Sequence, residues 1–428
     1  MELVAGAEEA VIAGVLGEDD AGLAFRHDLV REAVYRQIPD QVRTAMHRGA
    51  ASVVADGGGS VVLTAEHVRR GGDTGSESVR VLVEAARAMA DRAPHTAADL
   101  YIRALAMMVS GDPARSQVSA EAIGPLVLAC RLAEARTYAD DALRGGLMPE
   151  QQASVLLWLA QGLKRAGRNP DAIEYAQRAL QLSELDDVAR ARLYGILAYA
   201  AAVADDTTVA DSAGTRARQL GEASGDLSAA VAGHTARSEV AQIEGRLDDA
   251  LTEATAAVAL ADPNGSMVGE RQPRIWLGAA HTSLDHFDEA DAEFVQAQQE
   301  AERYGVGWAQ PTLHFERARL TLAQGRLDDA AAEARTGLAA AEREMPTQMS
   351  VHLRGLLAGI AVLQREVPLA QAHLRQVRRL LDAGITAPPE LVAWPAALLY
   401  HARGNRDAAL NELAHVYHNM RCPGFVGG

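Results

Sequence analysis

The hexapeptide Gly-Arg-Leu-Asp-Asp-Ala stands at 245–250 and again, unchanged, at 325–330, with Asp285-His286-Phe287-Asp288-Glu289-Ala290 midway between them in the same register. A repeat of about 40 residues constrains folding more than any bulk property, because each unit must be one supersecondary element that buries its apolar face on its neighbours. Stepping outward gives Gly167-Arg168-Asn169-Pro170-Asp171-Ala172, Arg365 to Ala370 and Gly404 to Ala409, with weaker copies starting at Asp205 and Cys130 and a trace near Ala93. Five places after each start an alanine recurs: Ala135, Ala172, Ala210, Ala250, Ala290, Ala330, Ala370 and Ala409.

The register has a physical reading. Seven residues before the starts the side chain is small: Ala160, Ala198, Ser238, Gly278, Ala318, Ala358, Ala397. If one helix (A) precedes each start and another (B) follows it, small residues at both positions let the two axes approach closely. A glycine such as Gly167, Gly245, Gly325 or Gly404 suits a left-handed residue after helix A, and the acidic pair that follows suits the first turn of helix B. Ala172-Ile173-x-x-Ala176-x-x-Ala179-Leu180 then has helical spacing. Helix B is expected to end at breakers such as Asp262-Pro263-Asn264-Gly265. No segment alternates with β-branched enrichment, so no sheet is expected.

The stretch 167–180, with its glycine, second-helix alanine and closing Ala-Leu, resembles the tetratricopeptide repeat. The resemblance extends over 93–417. It departs in period, nearer 40 than 34, and in the scarcity of aromatics, 4% of the chain. Longer helices with alanine-filled interfaces account for both. The resemblance implies an all-α right-handed solenoid of helix pairs, each stacked only on its neighbours.

Composition removes several function classes. Lys164 is the only lysine, so 40 of the 41 basic residues are arginine. Its surroundings, Gln161-Gly162-Leu163-Lys164-Arg165, do not make a phosphate-binding loop of the form G-x-x-x-x-G-K-[ST]. The net charge of −16 opposes a surface built to track phosphate backbones. Two cysteines, Cys130 and Cys422, cannot build a disulfide framework or a cysteine-rich zinc site. With no long apolar run and no basic leader ahead of an apolar stretch, a soluble cytoplasmic protein is expected.

The N-terminal segment reads differently. Phe25-Arg26-His27-Asp28-Leu29-Val30-Arg31-Glu32-Ala33-Val34-Tyr35 starts an amphipathic helix, followed by Arg43 and His47 ahead of Ala50-Ala51. Beyond the flexible Asp56-Gly57-Gly58-Gly59-Ser60 comes Ala65-Glu66-His67-Val68-Arg69-Arg70-Gly71-Gly72-Asp73. This succession resembles the junction in the large ATP-binding LuxR-type transcriptional regulators. The resemblance is most specific at 21–105. It implies the end of a winged-helix subdomain over 1–56, connecting helices over 57–92, the repeats over 93–417 as a sensor arm, and a flexible tail over 418–428. The family's nucleotide-binding domain and C-terminal helix-turn-helix have no counterpart here, and the chain reads as the middle of such a regulator.

Candidate chemistry is sparse. Glu412, His415 and His418, with Cys422 beyond, have metal-like spacing, but Pro423 and the glycines that follow place Cys422 in a frayed tail; a solvated terminal helix is expected instead. In this broad class of nucleotide-hydrolysing proteins a winged-helix histidine faces the nucleotide, which points to His27; without a P-loop domain, a histidine packed at a helix start is expected. No catalytic motif occurs, so no enzyme, metal or cofactor is expected. The groove remains. The tetratricopeptide resemblance implies that helix A lines the concave face, with positions six and three before each start pointing into it: Gln161, Lys164, Tyr199, Glu239, Gln242, Thr282 and Arg319. Their polar mixture suits a protein, a peptide or a small effector. Trp158, Trp276, Trp308 and Trp394 read as packing residues. The expected function is a regulatory binding arm of a LuxR-type regulator, in which arm occupancy biases the ATPase module and oligomeric assembly of the intact protein; a free-standing scaffold for protein assembly is the alternative. Neither a nucleic acid nor a membrane is an expected partner of the chain alone.

Overall fold

The computed structural model describes residues 2–19, 22–72, 75–109, 111–261, 272–343 and 348–419. The helix-ending 262–265, Asp73 and the tail around Cys422 lie outside the described residues, as do the side chains of Trp308, His415 and His418. Twenty-two α-helices are described, and the chain divides into two compact units, Met1–Ala129 and Cys130–Gly428.

The first unit holds a departure from the sheet-free expectation. Leu16–Asp19 and Gly22–Phe25 pair antiparallel, Leu16 opposite Phe25. Four-residue strands are too short for an alternation pattern to register. Helices Asp28–Gln37, Asp40–Asp56, Val61–Gly71, Ser76–Met89, Pro94–Met107 and Arg115–Leu128 follow. The motif residues of the first three meet. The Tyr35 hydroxyl lies 2.8 Å from His47 Nε2, His47 Nδ1 lies 2.9 Å from His67 Nδ1, and Arg48 Nε donates to the Gly71 carbonyl at 2.7 Å. Burial, with the His67 and Arg70 charges, holds His47 below the usual histidine range. His27 is not packed. It stands exposed at the N-cap of Asp28–Gln37, with no capping hydrogen bond from its side chain.

In the second unit every start has a left-handed backbone: Cys130 (φ 59°), Gly167 (70°), Asp205 (63°), Gly245 (74°), Asp285 (60°), Gly325 (75°), Arg365 (65°) and Gly404 (77°). The conformation recurs whether or not the residue is glycine, so the helix-pair geometry imposes it and the non-glycine residues bear its strain. Helix pairs such as Leu227–Ile243 with Leu247–Ala261, and Gln310–Ala323 with Leu327–Ala341, pack across these turns. Ala135, Ala172, Ala210, Ala250, Ala290, Ala330 and Ala370 are completely buried, and Ala409 nearly so. Opposite them, Ser238 Oγ donates to the Ala250 carbonyl at 2.8 Å, and a Cβ on Gly278 would lie 2.4 Å from the Phe294 ring. Small side chains at the crossing are therefore a steric requirement.

A second periodic pair joins the same helices. Eleven residues before and eight after successive starts stand His234 and Glu253 (2.6 Å), Arg274 and Glu293 (2.7 Å), and His314 and Glu333 (2.7 Å).

The array meets itself five repeats on. The Asn169 side-chain amide donates to Gln348 Oε1 at 3.0 Å and to Thr386 Oγ1 at 2.9 Å. The Thr386 hydroxyl and backbone N–H both donate to the Gly167 carbonyl at 2.8 Å. The turn at 167–169 thus rests on the start of helix Gln348–Leu363 and on the loop ahead of helix Glu390–Ala402, and the A helices between them face inward.

Candidate functional site

The inward residues form one connected set. Lys164 Nζ lies 4.8 Å over the Tyr199 ring, and Tyr199 hydrogen-bonds Gln348. Gln348 Nε2 is 3.3 Å from His352 Nε2, and the His352 ring lies against Phe315 with centroids 5.4 Å apart. Arg319 extends across the Phe315 ring and donates to Glu316 Oε2 at 2.8 Å. Glu239 sits among Trp276, Glu316, Glu390 and Arg319. Residues from A helices that span 149–402 of the sequence converge here because the array closes.

The electrostatics follow from that enclosure. Burial pushes the Glu239 carboxyl up to about 7; the Glu316 charge adds to the push, and the Trp276 indole N–H pulls against it. Burial also raises Glu316, opposed by Arg319, and raises Glu390. It drives His352 down to about 3, with Arg319 adding to the effect, so His352 is a neutral hydrogen-bonding group at ordinary pH. Glu239 Oε2 is closed off from solvent and accepts no hydrogen bond.

Of the groove positions read from sequence, Lys164, Tyr199, Glu239 and Arg319 take part in this set, each half-buried. Gln161 is half-buried on the same helix as Lys164. Gln242 Oε1 accepts from Ser283 Oγ at 3.0 Å, a link between neighbouring A helices. Thr282 is buried, its hydroxyl donating back to the Gly278 carbonyl at 2.9 Å. The residues that sequence reasoning missed, Trp276, Phe315, Glu316, Gln348 and His352, lie one to three helical turns earlier on the A helices. Helical spacing from the position six before each start reaches them, so the signal was present. Trp276 packs beside the Ile275–Phe294 core as well as facing Glu239, so it is more than a packing residue; Trp394 closes on Gly359, where a Cβ would meet its ring at 2.2 Å.

A cleft of about 330 Å³ lies among Asp291, Arg317, Thr321, Arg326, Asp329 and Glu333. Both of its arginines are paired within it, Arg326 with Asp329 at 2.6 Å and Arg317 with Glu333 at 3.5 Å. Among the described residues no group of three or more His, Cys, Asp or Glu is placed to hold a metal, and no helix is long and apolar enough to cross a membrane.

No protein-family model matches the sequence, and no curated protein matches it. Solved structures do. A Rap protein complexed with Competence and Sporulation Factor is similar with a TM-score of 0.57 at 14% identity, over 80% of this chain and 98% of that one. A tetratricopeptide repeat protein from Parabacteroides merdae gives 0.49 at 14% identity, over 66% and 98%. A signal transduction ATPase with numerous domains (STAND), carrying a tetratricopeptide repeat sensor, from Pyrococcus horikoshii gives 0.40 at 12%, over 96% of this chain and 58% of that chain. The fold is an all-α, tetratricopeptide-like helical-repeat array.

Proposed function

We propose that this chain is the signal-receiving arm of a LuxR-type ATP-dependent transcriptional regulator, and that its enclosed inner face takes a protein segment, a peptide or a small effector. The observation that carries the binding reading is the convergence of Lys164, Tyr199, Glu239, Glu316, Arg319 and His352 on one inward surface. The Rap protein of the same fold was solved in complex with Competence and Sporulation Factor, which supports a binding role for an array of this kind. The regulator reading draws on the N-terminal motif, whose Tyr35, His47 and His67 form one knot, and on Leu29, Met46 and Val53, apolar residues left exposed that an adjoining module would cover. In such a regulator, occupancy of the arm would bias the ATPase module, a coupling between two sites. The chain alone would be a cytoplasmic binding part with no catalysis, no metal and no DNA reading of its own.

The genomic reading frame tests this. Coding sequence for a P-loop domain before the chain and a helix-turn-helix after it is expected. A frame with neither would leave the free-standing scaffold. Calorimetry on the chain should show no micromolar binding of ATP or ADP, since it offers no lysine loop for the phosphates; stoichiometric micromolar binding would overturn that part.

A further inference from the structure

We propose that Glu239 is the recognition point for a cation: the inner face takes a ligand that places a protonated amine or a guanidinium on its carboxyl group. The inference deepens the inner-face binding reading and rests on it.

Two observations carry it. The first is the orphaned oxygen. Glu239 Oε2 is closed off from solvent and accepts no hydrogen bond, while Trp276 serves the carboxylate with its indole N–H. Buried carboxylate oxygens without donors are rare in folded proteins, and each one calls for an explanation. The second is the local division of charge. Glu316 has its own base, Arg319 at 2.8 Å, and Arg319 is further committed to the Phe315 ring. Lys164 sits over Tyr199. Among the described residues no base is bound to Glu239, which faces Glu316 and Glu390; Arg319 acts on it only through its more distant charge. An anion brought here would face several carboxylates. A neutral donor would fill the hydrogen bond and leave the charge uncompensated. A cation does both. The carboxyl, raised to about 7 while no cation is bound, must ionise to take one, so binding near neutral pH should expel a proton.

A protonated amine or guanidinium can come from a basic peptide or from a free polyamine, and titration calorimetry with a tri-arginine peptide and with spermidine separates the two. A tri-glutamate peptide serves as the opposite-sign control, and all runs use about 150 mM salt to suppress loose surface attraction to the acidic chain. At least one cationic probe should saturate at one per chain, and tri-glutamate should not. Affinity should rise about tenfold from pH 6.0 to pH 8.5, as the ionised fraction of a group with a pKa near 7 requires. Glu239→Gln should weaken binding about tenfold at pH 8.5 and erase the pH dependence. Glu174→Gln, at an exposed helix B position, should change neither. The wild-type pH profile stands as evidence even if a variant folds poorly. Failure of both cationic probes to bind, or equal binding by folded Glu239→Gln, would overturn the proposal. Saturable tri-glutamate binding that is lost in Arg319→Ala would also overturn it while leaving the inner-face reading intact.

Discussion

Helix Asp28–Gln37 has no buried residue and leaves Leu29 at 85% exposure, and its neighbour Asp40–Asp56 buries Ala51 alone while Val53 stays 72% exposed. In the repeats, by contrast, the alanine five places after each start from 135 to 370 is wholly shut away. The two regions differ in composition, since Asp28–Gln37 is more charged than Leu247–Ala261. They also differ in partners. A repeat helix has a neighbour on each side with a small residue at the crossing, so modest side chains reach full burial. Among the described residues the N-terminal helices leave the larger apolar side chains of Leu29, Met46 and Val53 uncovered. Covering one such residue is worth roughly 1.5–3 kcal/mol that the helices as they stand forgo.

That contrast can be broken by mutation. Phe294, completely buried against Gly278, should cost about 3–5 kcal/mol when replaced by alanine. Leu29→Ala should stay within about 0.5 kcal/mol. Urea unfolding of both variants measures this, and similar losses would mean that Leu29 is covered after all.

A smaller effect sharpens the repeat geometry. Gly325→Ala should cost about 1–2 kcal/mol, because alanine must adopt a left-handed backbone there. Arg365→Gly, at the equivalent turn, should stabilise by relieving the same strain. Thermal melts that moved both variants in one direction would contradict the common turn.

The smallest expected effects are the pH-dependent ones. Glu239 has a raised folded pKa, so between the ordinary carboxyl range and about 7 the native state holds a proton that the unfolded state does not. This group therefore favours folding as pH falls from 8 to 6, and Glu239→Gln should melt higher than wild type at pH 8, with the gap closing toward pH 5. Burial also raises Glu253, but the His234 hydrogen bond and Arg237 outweigh it and hold the group low. Its contribution is present above the ordinary carboxyl range and disappears as pH falls through the lowered value. A Glu239→Gln melting curve parallel to wild type across pH 5–8 would remove the titration account.

The repeat array was legible because its signals are local and periodic: identical hexapeptides, small residues at fixed offsets, and turns whose shape recurs at Cys130, Asp205, Asp285 and Arg365 without glycine. Three things were not legible. The hairpin at 16–25 is too short for a pattern. The closure through Asn169, Gln348 and Thr386 joins positions with no shared periodicity. Glu253, three residues after the buried Ala250, is held by His234 at 2.6 Å and Arg237 at 3.0 Å, and these partners come from the preceding helix. The inner site falls between these cases. Its residues sit on a readable helix face, but which of them meet depends on the closure.

The most direct test of a repeat array built from neighbour contacts is hydrogen exchange in Ala250→Leu. Overpacking this fully buried crossing should cost about 1–3 kcal/mol. Ala259→Leu, at an exposed position on the same helix, is the matched control and should do little. In Ala250→Leu, exchange should quicken across helices Leu227–Ile243, Leu247–Ala261 and Pro273–Ser283, while helices Pro149–Arg165 and Val367–Asp382 keep nearly their wild-type protection. Equal loss of protection along the whole chain would mean a single cooperative globule, and the neighbour-by-neighbour account would be wrong.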